Sequence, residues 1–275
     1  MATGYEAMQD DAVVKSAIAH QQRLEGERAP WENIWRQIDR YVDPSGEGGF
    51  GTKTRGNIRG EDIFDVTATV GLDRYEAAIA GITIPRNQRY LAVVDADPDL
   101  MKLPEVQRWY EIATDRLFAA RYAPAAGFEV AAHEDIRQEG KYGTAPFWIG
   151  ERPGRGMFYR ALHLSECYID TDWTGRTNTL HRKFELSAAQ AEQDWGRDAL
   201  PPKLIEALRN DKGHEKFEFL HVIRPNRSYQ AGAWGPQGRQ FESLEICLCE
   251  KWIVRRGGYY SFPAPVSRAT TSPGE

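Results

Sequence analysis

The hydrophobic period of this chain changes at Gly143, and that change limits what the chain can fold into. Before it, large apolar residues recur at three- and four-residue steps, as in Trp31, Ile34, Trp35, Ile38, Tyr41 and Val42. That spacing places them along one stripe of a helix. After it, short runs rich in aromatic and β-branched residues are bounded by Gly, Pro, Asp and Asn, the signature of strands joined by turns. Helices first and strands second is an α+β order, with a mostly antiparallel β region; alternating α/β would interleave them throughout. The expected division is a helical portion over residues 1–142 and a β-rich portion over 143–275.

Breaker residues place the elements. A first helix is expected from Asp11 to Glu25, interrupted by Gly26 and Pro30, with a second beginning at Trp31 and ending at Asp43-Pro44. The stretch PSGEGGFGTKTRGNIRG, from Pro44 to Gly60, reads as a loop. A helix follows from Val66 to Gly81, then a short strand from Tyr90 to Val94. Leu103 to Ala120 is helical with Pro104 in its first turn, and Phe128 to Gln138 is one more helix. TAPFWIGERPGRGMFYRALHL reads as a hairpin, and a second turn is expected from Asp172 to Gly175. Short helices are expected from Ser187 to Trp195 and from Pro201 to Arg209. The strand Phe217 to Ile223 comes next, and a last strand pair turns at Gly257-Gly258.

Size and composition permit a substantial core. At 275 residues the chain suffices for one large domain or two small ones, and 41% hydrophobic content with eight Trp, twelve Tyr and eleven Phe argues against wholesale disorder. A net charge of -5 argues against a protein that grips nucleic acid over its whole surface. Three cysteines (Cys167, Cys247 and Cys249) make a poor disulfide framework and suit a reducing compartment. The amino terminus has no signal pattern, and the longest apolar runs fall far short of a membrane span.

Residues with catalytic potential do not assemble into a site on the sequence. In Gly46-Glu-Gly-Gly-Phe-Gly51-Thr52-Lys53-Thr54, the lysine stands one place too late for a phosphate-binding loop, and a helix precedes it where a strand belongs. Cys247-Leu-Cys249 lies on one face of a strand without the further ligands a structural zinc needs. His20, His133, His163, His181, His214 and His221 show no metal spacing. His133-Glu134-Asp135 reads as a solvated helix face, because consecutive helical residues diverge. Asp170 and Asp172 are expected to make local turn hydrogen bonds. Arg255-Arg256 reads as an exposed hairpin tip, and with Lys53, Arg55 and Arg59 it offers cations to phosphate without interleaved aromatics. No catalytic, cofactor or metal residue is assigned.

Taken in order, several segments resemble the head-to-tail connector (portal) proteins of short-tailed bacteriophages. The helix ending Tyr41-Val-Asp-Pro44, then Ile63-Phe64-Asp65-Val66-Thr67-Ala68, then Gly81-Ile-Thr-Ile-Pro85 with Tyr90-Leu91 follow that family's sequence of motifs. Val66 stands where serine is usual, and Tyr90 where tryptophan is commoner. The likeness continues at Tyr142-Gly143-Thr144-Ala145, Asp172-Trp-Thr-Gly175, Arg182-Lys-Phe184-Glu-Leu186 with Gln190, and Val222-Ile-Arg-Pro225. The resemblance implies the wing part of a portal subunit, without an enzymatic activity or cofactor. It implies a virion protein assembled in the host cytoplasm as a ring of identical subunits, usually a dodecamer. The implied partners are capsid and scaffolding proteins, a terminase motor, tail adaptors and double-stranded DNA in the channel, with no membrane. Such connectors are longer than this chain, so the resemblance implies an amino-terminal portion. Two other readings stay open: a nucleotide-binding or hydrolytic enzyme using the Gly46 to Thr54 loop, and an interaction module that forms no ring. The small residues Thr67, Ala68, Gly71, Ala77, Ala78 and Gly81 are expected to let neighbouring elements approach closely.

Overall fold

The computed structural model describes residues 10–44, 49–50, 64–85, 88–152, 154 and 156–269. Most of the Pro44 to Gly60 loop, with Lys53, Arg55 and Arg59, lies outside them. The architecture is α+β, with antiparallel sheets. By its contacts the chain divides into two units, one of Met1–Asn33 and Ser165–Pro263, the other of Ile34–Leu164 and Ala264–Glu275.

In the first unit, five strands form an antiparallel meander: β3 (Cys167–Thr171), β4 (Thr177–Ser187), β5 (Lys216–Pro225), β6 (Phe241–Cys247) and β7 (Trp252–Tyr259). Two short helices, α5 (Ala188–Trp195) and α6 (Pro202–Arg209), intervene between β4 and β5. Both faces of the sheet are covered, so its central strands are apolar on both sides. Phe217, Phe219, Cys247 and Val254 pack with Ala188, Ala191, Leu204 and Ala207 of α5 and α6. Leu220, Val222, Leu244, Ile246 and Ile253 pack instead with Val14 and Ala17 of α1 (Asp11–Tyr41). The strict two-residue alternation of a strand sorts these side chains to the two faces. Helix α5 starts where Ser187 accepts a hydrogen bond from the Gln190 amide and the Gln190 side chain accepts one from Ser187 N–H, a full capping box.

In the second unit, α4 (Phe128–Tyr142) packs on α2 (Thr67–Thr83) and on the sheet β2-β1-β8, formed by β1 (Thr144–Arg152), β2 (Gly156–Ala161) and β8 (Val266–Arg268). Phe128, Ala131 and Ala132 of α4 meet Tyr159 and Phe147 of the hairpin. Gly127 and Gly143 flank α4 with φ of 65° and 74°, left-handed conformations that glycine adopts without steric cost. The switch from helix to strand at Gly143 therefore occurs where the change in sequence period places it.

Four local expectations are overturned. First, α1 runs unbroken through Gly26 and Pro30. Proline at position 30 removes one amide donor and crowds the carbonyl of residue 26. Both residues are exposed, so water can serve the freed carbonyl. The residue that loses its partner is also the one with no side chain. Pro30→Ala is expected to raise stability by about 1–3 kcal/mol, read from the urea midpoint; an unchanged midpoint would mean the helix tolerates the proline without strain.

Second, Tyr90 to Val94 forms no strand and belongs to no sheet. It lies along α3 (Pro104–Arg121), where the Thr114 hydroxyl accepts the Val93 amide at 3.0 Å and Tyr110 donates to Asp95 at 2.6 Å. A side chain of the helix, not a neighbouring strand, takes the Val93 amide. Third, the last hairpin turns at residues 248–251, with Lys251 at φ 55°, and Gly257-Gly258 sit inside β7. A Cβ on Gly258 would come within 2.4 Å of the Phe241 carbonyl oxygen, so this glycine permits close strand approach. Fourth, no atom of the described structure lies near a Cβ built on Gly71 or Gly81. The close approach between α2 and α4 uses Gly140 instead, where a Cβ would collide with Tyr75.

Candidate functional site

Two kinds of feature stand out: buried polar networks that hold elements in place, and apolar helix faces left open. The strongest network is in the second unit. Asp39 in the last turn of α1 and Asp43 just past its end are four residues apart, and Arg137 and Lys141 repeat that spacing on α4. Four-residue spacing puts each pair on one helix face, so two acids can meet two bases. Lys141, with a side chain only 5% exposed, reaches Asp39 at 3.0 Å and Asp43 at 3.2 Å. Arg137 bonds Asp43 at 3.3 Å and also Asp73 at 2.7 Å and Glu76 at 3.0 Å, both on α2. Burial alone would push the Asp43 carboxyl up; Arg137 and Lys141 outweigh it and hold Asp43 below its ordinary value. The Tyr142 hydroxyl also donates to Asp39, while its ring meets Phe50, Trp35 and His163. Burial and then Asp39 raise the Tyr142 phenol well above its usual value, so it stays a donor.

The first unit has three smaller networks. Arg28 donates to the carbonyls of Cys167 and Ser165 at 2.7 and 3.1 Å, pairs with Glu32 at 2.7 Å, and stacks 3.7 Å over the Tyr168 ring. Nearby, His181 Nδ1 lies 3.0 Å from the Gln21 side-chain oxygen, an acceptor, so Nδ1 carries the proton. Burial, helped by the adjacent His20, drives the His181 pKa down to about 3 and keeps the ring neutral. On the opposite sheet face, Glu245 accepts from Trp195 Nε1 at 2.5 Å and from Arg255 at 2.6 Å. His221 donates to or accepts from Ser243 at 2.8 Å, and burial lowers its pKa to about 4.

Several residues considered from the sequence find different places. Asp172 does organise its turn, accepting from Thr174 N at 2.8 Å and Arg176 N at 3.1 Å. Asp170 does more than a turn requires, since it also binds Arg23 at 2.6 Å and His20 at 3.2 Å. Arg255 is no hairpin tip; it lies within β7, tied across the sheet to Glu245. His133-Glu134-Asp135 is not a uniformly solvated face. His133 meets Glu76 at 3.1 Å, and Asp135 accepts from Ser267 at 3.0 Å while its Oδ1 is buried without a partner. Burial, with Glu139 one turn away, lifts the Asp135 pKa to about 7. Among the described residues, no group of three or more His, Cys, Asp or Glu is placed to hold a metal, and no helix is long and apolar enough to cross a membrane.

The open faces lie mostly on the helices of the second unit. Along α3 only Thr114 is buried. Trp109 is 62% exposed, and Ile112, three residues on, shares its outward face. Val66 and Val70 at the start of α2, and Val130 on α4, are also exposed. In the first unit Trp173 and Trp234, on the β3–β4 turn and the β5–β6 loop, are each 96% exposed. These are anchors of the kind that interfaces favour.

Residues 14–275 match the family described as bacteriophage head to tail connecting protein. The chain belongs to that family. It is 26% identical over 246 residues to a probable portal protein of Bordetella phage BPP-1, and 21% identical over 253 residues to the portal protein of Salmonella phage epsilon15. Each alignment covers 88% of this chain and 44% of the relative, so the chain spans less than half the length of those curated relatives. Within the family match, residues from distant parts of the chain form the networks: Asp39 with Lys141, and Gln21 with His181. The four-residue repeats Asp39/Asp43 and Arg137/Lys141 were the visible signal for the first. Nothing in the sequence signals the second, because a lone buried histidine has no spacing.

Proposed function

We propose that this chain is a structural subunit of a portal ring, set at one vertex of a phage capsid. The observation that carries the reading is the family match across residues 14–275. In this reading residues 1–142 and 143–275 together make a wing-type region. Copies assemble head to tail into a closed ring, a dodecamer by the family resemblance, through a heterologous interface. Double-stranded DNA is packaged and ejected through the channel, with capsid, scaffolding, terminase and tail-adaptor proteins docking outside. The assembled protein is a virion component formed in the host cytoplasm, and it catalyses nothing. Its net charge of -5 suits a wall past which DNA slides instead of binding.

The exposed Trp109 and Ile112 support a subunit contact on α3. They also supply the test. Electron microscopy and native mass spectrometry of the purified chain are expected to show rings. The double variant Trp109→Glu with Ile112→Glu is expected to shift the distribution to monomers, with circular dichroism unchanged because neither side chain is in the core. A chain that stays monomeric at high concentration and binds ATP in a metal-dependent, Lys53-sensitive manner would sink the proposal.

A further inference from the structure

Cys247 is the last residue of β6 and Cys249 lies in the turn that follows; one thiol is buried and the other exposed. Their sulfurs are 3.1 Å apart. Two thiolates on one tetrahedral zinc, each about 2.3 Å from the metal, must stand roughly 3.8 Å apart. The pair is closer than that edge, and no third ligand joins it among the described residues. Disulfide formation would bring the sulfurs from 3.1 Å to about 2.05 Å. Cys249 lies in the turn over residues 248–251, outside the β6–β7 ladder, whereas Cys247 is packed among Phe217, Phe219, Leu204 and Val254.

We propose that Cys247 and Cys249 form a reversible intrachain disulfide, a modification site at the β6–β7 turn that takes small disulfides as its oxidant. The exposed Cys249 thiolate attacks one sulfur of a low-molecular-weight disulfide. One thiol leaves, and Cys249 carries a mixed disulfide. Cys247 then loses its proton and attacks the Cys249 sulfur, expelling the second thiol. Two protein thiols are oxidised, one small disulfide is reduced to two thiols, and the protein loses two hydrogens. The two cysteines divide the roles: Cys249 captures, Cys247 resolves. Burial, followed by the hydrogen bond to Cys249, raises the Cys247 pKa, so resolution accelerates as pH rises. This site is independent of ring assembly, and its test does not depend on that reading.

The test treats the native purified chain with oxidised glutathione, alkylates remaining thiols after denaturation, and maps the products by mass spectrometry. The expected wild-type product links Cys247 to Cys249, with the buried Cys167 alkylated. In Cys247→Ser, Cys249 is expected to keep glutathione at a level roughly tenfold or more above wild type, because the intramolecular competitor is gone. In Cys249→Ser, Cys247 is expected to be alkylated without adduct. Stable glutathionylation of Cys249 in the wild type, or two alkylated thiols there, would overturn the proposal. So would equal linkage in chain oxidised under denaturing conditions, since the pairing would then owe nothing to the folded geometry.

Discussion

Replacing Lys141 with methionine is expected to cost about 3–5 kcal/mol, the penalty for removing one member of a buried ion network. Methionine keeps the stem and its packing but leaves Asp39, among the described residues, with only the Tyr142 hydroxyl and the Phe50 amide as donors. Asp43 retains Arg137. The loss should therefore trace mainly to Asp39, and adding Asp39→Asn to Lys141→Met should recover part of it. Urea unfolding at neutral pH measures both, and a loss below about 1 kcal/mol would mean water reaches the acids and that they are not truly buried. The acid side of the network has its own signature. Asp43 is held below its ordinary 3.8, so its stabilisation is present above that value and is lost as pH falls through the lower folded value. Acid unfolding that begins below about pH 4 is the expected result.

Asp135 is expected to behave in the opposite sense. Its folded pKa of about 7 lies above the ordinary 3.8, so the native state binds its proton more tightly than the unfolded chain does. That contribution is fully present below 3.8 and is lost as pH rises through about 7. The gap between the two values corresponds to at most about 4 kcal/mol. Asp135→Asn, a neutral isostere that can still accept from Ser267, should therefore stabilise the protein at pH 8. The advantage should shrink steadily toward pH 4. A variant less stable than wild type at pH 8 would mean the carboxylate has a partner that offsets its burial.

These two predictions concern residues that the sequence disguised in different ways. Asp39, Asp43, Arg137 and Lys141 show their spacing openly, yet the same spacing decorates any solvated helix, so only the tertiary contact gives it meaning. Asp135 shared a tripeptide with His133 and Glu134, and its hydrogen-bond partner, Ser267 of β8, lies far along the chain. Features fixed by local backbone chemistry were the legible ones. The capped start of α5 at Ser187, the left-handed Gly143 and the Asp172 turn all stand where their residue types imply. Breakers misled where the fold accommodates them. Pro30 is exposed within a long helix, and Gly257-Gly258 serve close strand packing where a turn was the cheaper local reading. Tyr90 to Val94 has the composition of a strand, but its Val93 amide is bonded to Thr114 of α3 instead. The family resemblance was legible because ordered motifs run along the chain, although none marks a catalytic group.

The pairing of β1 with β8 also sets a timetable. Thr144, Ala145 and Pro146 join Arg268, Ser267 and Val266, and the whole strand meander of the other unit is synthesised between them. A ribosome making this chain releases the meander complete while one edge of β1 still waits for its partner. The sheet whose strands are made first is thus the later to close, and closing it demands a long loop to be gathered in. During that interval the free edge of β1 is a template for pairing with another nascent chain. The hazard window in biogenesis ends with the emergence of three residues, Val266 to Arg268.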